Sequence, residues 1–127
     1  MPKQRVLVVD DDNLMRELLK AILRDEGYAV VGEAKDGAAA LAACEKLRPD
    51  VVCLDVNMPG ISGIEALKTM RRQYPGMCVV MITGDASLST VRDTVRLGAA
   101  GFIIKPFTAA RVAAALSAAL KPASIFQ

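Results

Sequence analysis

Polar groups with reactive chemistry recur at one kind of place in the sequence, directly after a short apolar run. Asp10-Asp11-Asp12 follows Val6-Leu-Val-Val9, Asp55 follows Val51-Val-Cys-Leu54, Thr83 follows Met77-Cys-Val-Val-Met-Ile82, and Lys105, before Pro106, follows Phe102-Ile-Ile104. Singly each has a plain explanation, since an acid or threonine after a strand commonly caps a helix and a lysine is commonly solvated. Together they are chemically coherent. Carboxylates without imidazole or thiolate make a hard-oxygen site, which suits Mg²⁺ held by a few protein ligands and water. If one carboxylate attacks a phosphoryl group, each neighbouring carboxylate at ~6 Å repels each unit of that group's charge by about 3 kcal/mol at an effective dielectric of ~20. A divalent cation on Asp10 and Asp11, with the Lys105 ammonium beside it, cancels that field and stabilises equatorial oxygens during in-line transfer. Asp55, on the central run, is the expected nucleophile.

Other chemistries are excluded by composition. Histidine is absent from the 127 residues, which removes imidazole acid–base catalysis, Ser–His and Cys–His nucleophile pairs, and imidazole-bound zinc or haem. Sixteen basic and fourteen acidic side chains leave a formal +2 without a run of like charge, so no direct nucleic-acid contact is expected. Cys44, Cys53 and Cys78 are odd in number and mostly set in apolar runs, which reads as reduced core thiols. The run after Met1-Pro-Lys-Gln-Arg5 is too short for a signal peptide or a membrane span, so the expectation is a soluble cytoplasmic protein.

Positioning such groups requires strands that end at a common edge. The four runs above and Ala29-Val-Val31 read as five strands buried on both faces, and continuous hydrophobicity favours parallel pairing. Between and after them lie helical spacings: Leu14, Leu18, Leu19, Ile22 and Leu23; Ala38, Leu41 and Leu47; Ile64, Leu67 and Met70; Leu88, Val91, Val95 and Leu97; Val112, Leu116 and Leu120. Asp12, Asp36, Ser62 (with Glu65 in a capping box), Ser87 and Thr108 are the expected caps, and Gly27 and Gly98 the expected stops. Alternation of this kind gives one α/β domain, an open parallel sheet with helices on both faces, and ligands bind such sheets outside the carboxyl ends of the strands.

The segments Val8-Val9-Asp10-Asp11, Leu54-Asp55-Val56-Asn57-Met58-Pro59-Gly60, Ile82-Thr83-Gly84 and Gly98-Ala-Ala-Gly-Phe-Ile-Ile-Lys105-Pro106-Phe107 resemble the receiver domain of two-component response regulators (CheY-like). Four motifs in order at four strand ends make the resemblance specific, and it covers the chain through the fifth helix. It implies a flavodoxin-like (βα)5 three-layer sandwich with a five-stranded parallel sheet of order 2-1-3-4-5, residues 1–121 forming the receiver and 122–127 a short tail or the start of a linker. It further implies that Asp55 accepts a phosphoryl group from a sensor histidine kinase or phosphotransfer protein. Asp10, Asp11, the Asp55 carboxylate and the Asn57 carbonyl would surround Mg²⁺, Thr83 would bond a phosphoryl oxygen, Lys105 would pair with the phosphate, and small Gly84 would leave room. Output would pass to an unidentified partner, or a second copy, through the fourth helix, fifth strand and fifth helix, with Thr83 and Phe102 as the switch.

Two positions depart from the family pattern. Ser62-Gly63 stands where many receivers have Asp-Gly, which keeps the cap, and Phe102 stands where Tyr is frequent, which removes a hydroxyl donor. An aspartate-nucleophile phosphohydrolase is the rival reading, but that class shows a second Asp two residues after the nucleophile, where this chain has Asn57. Another is a receiver cut from a larger regulator whose effector lies outside the chain. A nucleotide-binding protein is excluded, because neither glycine-rich phosphate motif follows the first strand. Arg71-Arg72, Arg92 and Arg96 are expected on solvated helix faces.

Overall fold

Along the chain run β1 (Arg5–Val9), α1 (Asn13–Asp25), β2 (Ala29–Ala34), α2 (Gly37–Leu47), β3 (Val51–Asp55), α3 (Gly63–Gln73), β4 (Cys78–Thr83), α4 (Leu88–Arg96), β5 (Gly101–Ile104) and α5 (Ala109–Leu120). The structure is a computed structural model that describes residues 2–85 and 87–121; the tail expected at 122–127 lies outside the described residues. Every helix starts on a side chain that accepts from its otherwise unpaired N–H groups. Asp12 takes Leu14 and Met15, Asp36 takes Ala39, Ser62 takes Glu65, Ser87 takes Thr90 and Thr108 takes Arg111. The capping box of α3 is half formed, for the Glu65 carboxylate meets Lys68 at 3.4 Å instead of folding back on Ser62. Gly27 and Gly98 stop α1 and α4 at φ +91° and +100°.

All five strands pair in parallel, in the order β2-β1-β3-β4-β5. Strand residues divide by parity between two cores. Leu7, Val9, Val52, Leu54, Val79 and Met81 pack against α2 and α3 through Ala40, Cys44, Ala66, Leu67 and Met70. Val6, Val8, Val51, Cys53, Val80 and Ile82 pack against α1 and α5 through Leu19, Leu23, Val112 and Leu116. Three layers result. The expectation of strands buried on both faces holds for β3 throughout and nearly so for β1 and β4, while the edge strands β2 and β5 are mostly half-buried.

Three helices turn differently from a simple reading of their apolar spacing; in α2 Ala40 and Cys44 are buried while Ala38 is exposed. In α1 the inward stripe is Met15, Leu19, Ile22 and Leu23, so Leu14 and Leu18, one residue or ~100° off it, are 71% and 43% exposed. In α4 only Thr94 is buried, and Leu88 and Val95 face outward. Arg71 is also less solvated than expected: its guanidinium donates to the Pro75 and Met77 carbonyls, tying the end of α3 to the start of β4. Arg72, Arg92 and Arg96 are exposed as expected.

Leu67→Ala is expected to cost about 2–5 kcal/mol in urea unfolding, because Leu67 is fully buried against the sheet. Leu88→Ala is expected to change stability by no more than about 0.5 kcal/mol.

Candidate functional site

Strand register carries the four strand ends to one place. Val9 lies opposite Leu54, so Asp10 and Asp55 leave β1 and β3 at the same level; Asp55 lies opposite Ile82, and Thr83 opposite Ile104, so Thr83 and then Lys105 follow. The expected residues Asp10, Asp11, Asp55, Thr83 and Lys105 therefore share the carboxyl edge of the three central strands and β5. Asp10, Asp55 and Thr83 are buried there, at 1%, 3% and 0% exposure, whereas Asp11 is exposed.

Lys105 spans the buried carboxylates, with its Nζ 2.8 Å from Asp10 Oδ2 and 3.5 Å from Asp55 Oδ2. The other Asp10 oxygen accepts from the Asp12 N–H at 2.9 Å, and Asp55 Oδ1 accepts from the Asn57 N–H at 3.3 Å. Thr83 Oγ1 accepts from the Asp85 N–H at 2.9 Å, which leaves the hydroxyl hydrogen free to donate elsewhere. One oxygen from each of Asp10, Asp11 and Asp55 lies within 4.8 Å of the others, the one such cluster among the described residues. Three carboxylates without nitrogen or sulfur donors fit a hard divalent cation.

Electrostatics mark Asp55 as the strained member. Burial, then repulsion by Asp10, push its carboxyl up to about 6 from an ordinary 3.8, and the attraction of Lys105 offsets only part of this. Burial disfavours the charged form of Lys105, yet its bonds to Asp10 and Asp55 outweigh that and hold the ammonium above its ordinary range. One ammonium does not balance the cluster.

Other expected residues sit at the margin. Asn57 is exposed just beyond Asp55, and Phe102 is half-buried in β5 against the α2–α3 core. A Cβ on Gly84 would meet nothing within 4 Å, so packing alone does not demand glycine there. Cys44 and Cys53 are buried free thiols, and burial pushes them up to about 11 and about 12; Cys78 is half-buried and donates to the Ala119 carbonyl at 3.4 Å. A cleft lined by Arg48, Asp50, Tyr74 and Leu120 contains none of the converging polar groups.

Two contributions escape a reading of the sequence. Gly63 packs so closely that a Cβ would fall 2.0 Å from the Asp55 carbonyl oxygen, so the residue after the Ser62 cap also sets the path of the main chain at Asp55. Arg16 donates to the Asp10 carbonyl at 2.7 Å. The trace of the second lies in a charged residue on the flank of the α1 stripe and a lone Glu33 in an apolar strand.

The family model of the response regulator receiver domain matches residues 6–117. The chain is similar to the chemotaxis protein CheY of Listeria monocytogenes, 38% identical over 117 residues that span 92% of this chain and 98% of that one. Among solved structures it is similar to chemotaxis protein CheY4 of Vibrio cholerae, with TM-score 0.88, 36% identity, and coverage of 94% and 100% of the two chains. It also matches a chain of the CheX-CheY-BeF3-Mg²⁺ complex from Borrelia burgdorferi, with TM-score 0.92, 29% identity, and coverage of 96% and 92%.

The raised Asp55 carboxyl has a signed consequence for stability. Between its ordinary 3.8 and about 6 the folded protein holds more protons than the unfolded chain, so stability falls as pH rises through that window. Asp55→Asn removes the penalty. Without divalent cations the variant should be more stable than the parent at pH 7.5, by roughly 1–2 kcal/mol after allowing for screening at the rim, and the gain should vanish near pH 4.

Proposed function

The chain belongs to the response regulator receiver domain family, and on that premise we propose that Asp55 accepts a phosphoryl group from a sensor histidine kinase or phosphotransfer protein, in a Mg²⁺-dependent reaction that switches a protein–protein contact. The observation that carries this reading is the meeting of Asp10, Asp11 and Asp55, with the Lys105 ammonium against Asp10 and Asp55. In it, Asp10, Asp11, the Asp55 carboxylate and the Asn57 carbonyl would hold the ion, which would supply positive charge to the phosphoryl oxygens.

The chain's own groups do the rest. An Asp55 oxygen attacks phosphorus in line; the new O–P bond replaces the N–P bond of the donor phosphohistidine, whose electron pair stays on the departing imidazole nitrogen. Lys105, already 3.5 Å from Asp55, pairs with the transferred group. The Thr83 hydroxyl, whose hydrogen is free, donates to a phosphoryl oxygen. Asn57 in place of a second Asp supports an acceptor over a turnover hydrolase. No helix among the described residues is long and apolar enough to cross a membrane, and the free thiols support a reducing cytoplasm.

Output leaves through α4-β5-α5. Thr83 and Lys105 belong to the two strand ends that frame this face, and Leu88, Val95 and Ile104 expose apolar surface on it to a partner or second copy. When Thr83 shifts toward the phosphoryl group, the half-buried Phe102 ring fills the space behind it; burying such a side chain from full exposure is worth roughly 1.5–3 kcal/mol, so completing the burial of a half-buried ring is worth about half of that, a change of up to about one decade in a two-state population. The Borrelia complex, in which CheY is bound with CheX, BeF3 and Mg²⁺, supports a protein–protein contact as the output.

Acetyl phosphate with Mg²⁺ should add one phosphoryl group by intact mass, labile to hydroxylamine, and Asp55→Asn or EDTA should abolish it. Equal labelling in either control would sink the assignment. Beryllofluoride should alter amide exchange in α4 and α5, and Phe102→Ala should uncouple that change while leaving labelling intact. Protection changes restricted to α2 and α3 would show that the output face is wrong.

A further inference from the structure

Behind the acidic turn lies an ion network that the phosphoryl chemistry does not use. Arg16, in the first turn of α1, folds its side chain back over the turn: Nη1 donates to the Asp10 carbonyl at 2.7 Å, Nη2 meets Asn13 Oδ1, and Nε donates to Glu33 Oε1 at 3.0 Å. The guanidinium side chain is only 12% exposed. Glu33, on β2, gives its second oxygen to Lys20 at 2.5 Å, and Lys20, 9% exposed, also reaches Glu17 at 2.7 Å. The Glu33 carboxylate lies below its ordinary range because Lys20, and then Arg16, hydrogen-bond to it.

This network over-determines one peptide. Asp10 closes the β1–β2 ladder through its N–H, which donates to the Ala34 carbonyl at 3.1 Å, and its Oδ1 accepts from the Asp12 N–H. Arg16 takes its carbonyl. A planar fork fixed by acceptors in the turn, in α1 and in β2 holds a peptide in place better than a flexible ammonium can. The side chains of Asp10 and Asp11 project from the turn so held.

We propose that Arg16, anchored by Glu33, is a positioning residue for divalent-cation binding, acting through the Asp10 peptide to hold Asp10 and Asp11 in ligating register. The proposal rests on the reading of Asp10 and Asp11 as Mg²⁺ ligands. It differs in sign from simple electrostatics. A guanidinium near the site repels a dication, so on charge alone its removal would tighten Mg²⁺ binding; as a positioning group its removal weakens it, by about tenfold on the scale of outer-shell partners of metal ligands.

Titration calorimetry with MgCl2 on the whole chain, beside thermal melts in EDTA to confirm folding, separates these cases. Arg16→Gln should weaken Mg²⁺ binding about tenfold, and Arg16→Lys, which keeps the charge and loses the fork, should show an intermediate loss. The lysine variant also serves if the glutamine variant does not fold, since charge alone predicts no change for it. Unchanged or tighter binding in a folded Arg16 variant, with Asp10→Asn still abolishing binding, would overturn the positioning role and leave the metal reading intact. Absence of Mg²⁺ binding by the parent, or full binding by Asp10→Asn, would overturn the metal reading on which the proposal rests.

Discussion

The constraint on which this molecule turns is the repulsion between carboxylates held at the rim of an apolar sheet. Asp10 and Asp55 are nearly without solvent contact, share one ammonium, and sit beside a third acid, so the folded chain carries charge that its own cation does not balance. In so dry a setting such repulsion costs far more than at a free surface. The arrangement persists because rigid strands supply it: Asp55 ends a strand that is buried along its whole length, and Gly63 presses against its carbonyl. A divalent cation is the ligand that such unbalanced negative charge favours, and in the proposed function it would also offset the repulsion that these carboxylates exert on an incoming phosphoryl group.

The helices are unequally anchored to this sheet. The α2–α3 and α1–α5 cores bind four helices firmly to the sheet, while α4 buries only Thr94. Thr83 is bonded through Oγ1 to the Asp85 N–H in the loop that leads to α4, and Lys105 bonds its main-chain N–H to the Thr83 carbonyl at 2.7 Å. These two bonds connect the polar groups to the loop before the least anchored helix and to the neighbouring β5. Local openings are drawn from regions with few buried contacts.

Much of this was legible in the sequence because the relevant rules are local. Five apolar runs set the strands, five side chains that accept at helix starts set the caps, and the polar residues at the carboxyl ends of β1, β3, β4 and β5 set the candidate site. What escaped was tertiary. Leu14 and Leu18 satisfy a helical spacing as well as Leu19 and Leu23 do, and only docking on the sheet decides which pair turns inward. Arg71 and Arg16 look like solvated cations until carbonyls 4 to 6 residues away come within reach. Glu33 lies far from both Arg16 and Lys20 along the chain, so its pairing with them is set by β2 lying beside β1 and under α1.

That buried carboxylates are assembled around Asp55 to receive a phosphoryl group is tested most directly by marking the acceptor chemically. An aspartyl phosphate is reduced by borohydride to homoserine, which peptide mass spectrometry locates to a single residue. After treatment with acetyl phosphate and Mg²⁺, homoserine should appear at position 55 and nowhere else. Its appearance at position 10 or 11, or its absence from every position in protein that carries a hydroxylamine-labile phosphoryl group, would contradict that assembly.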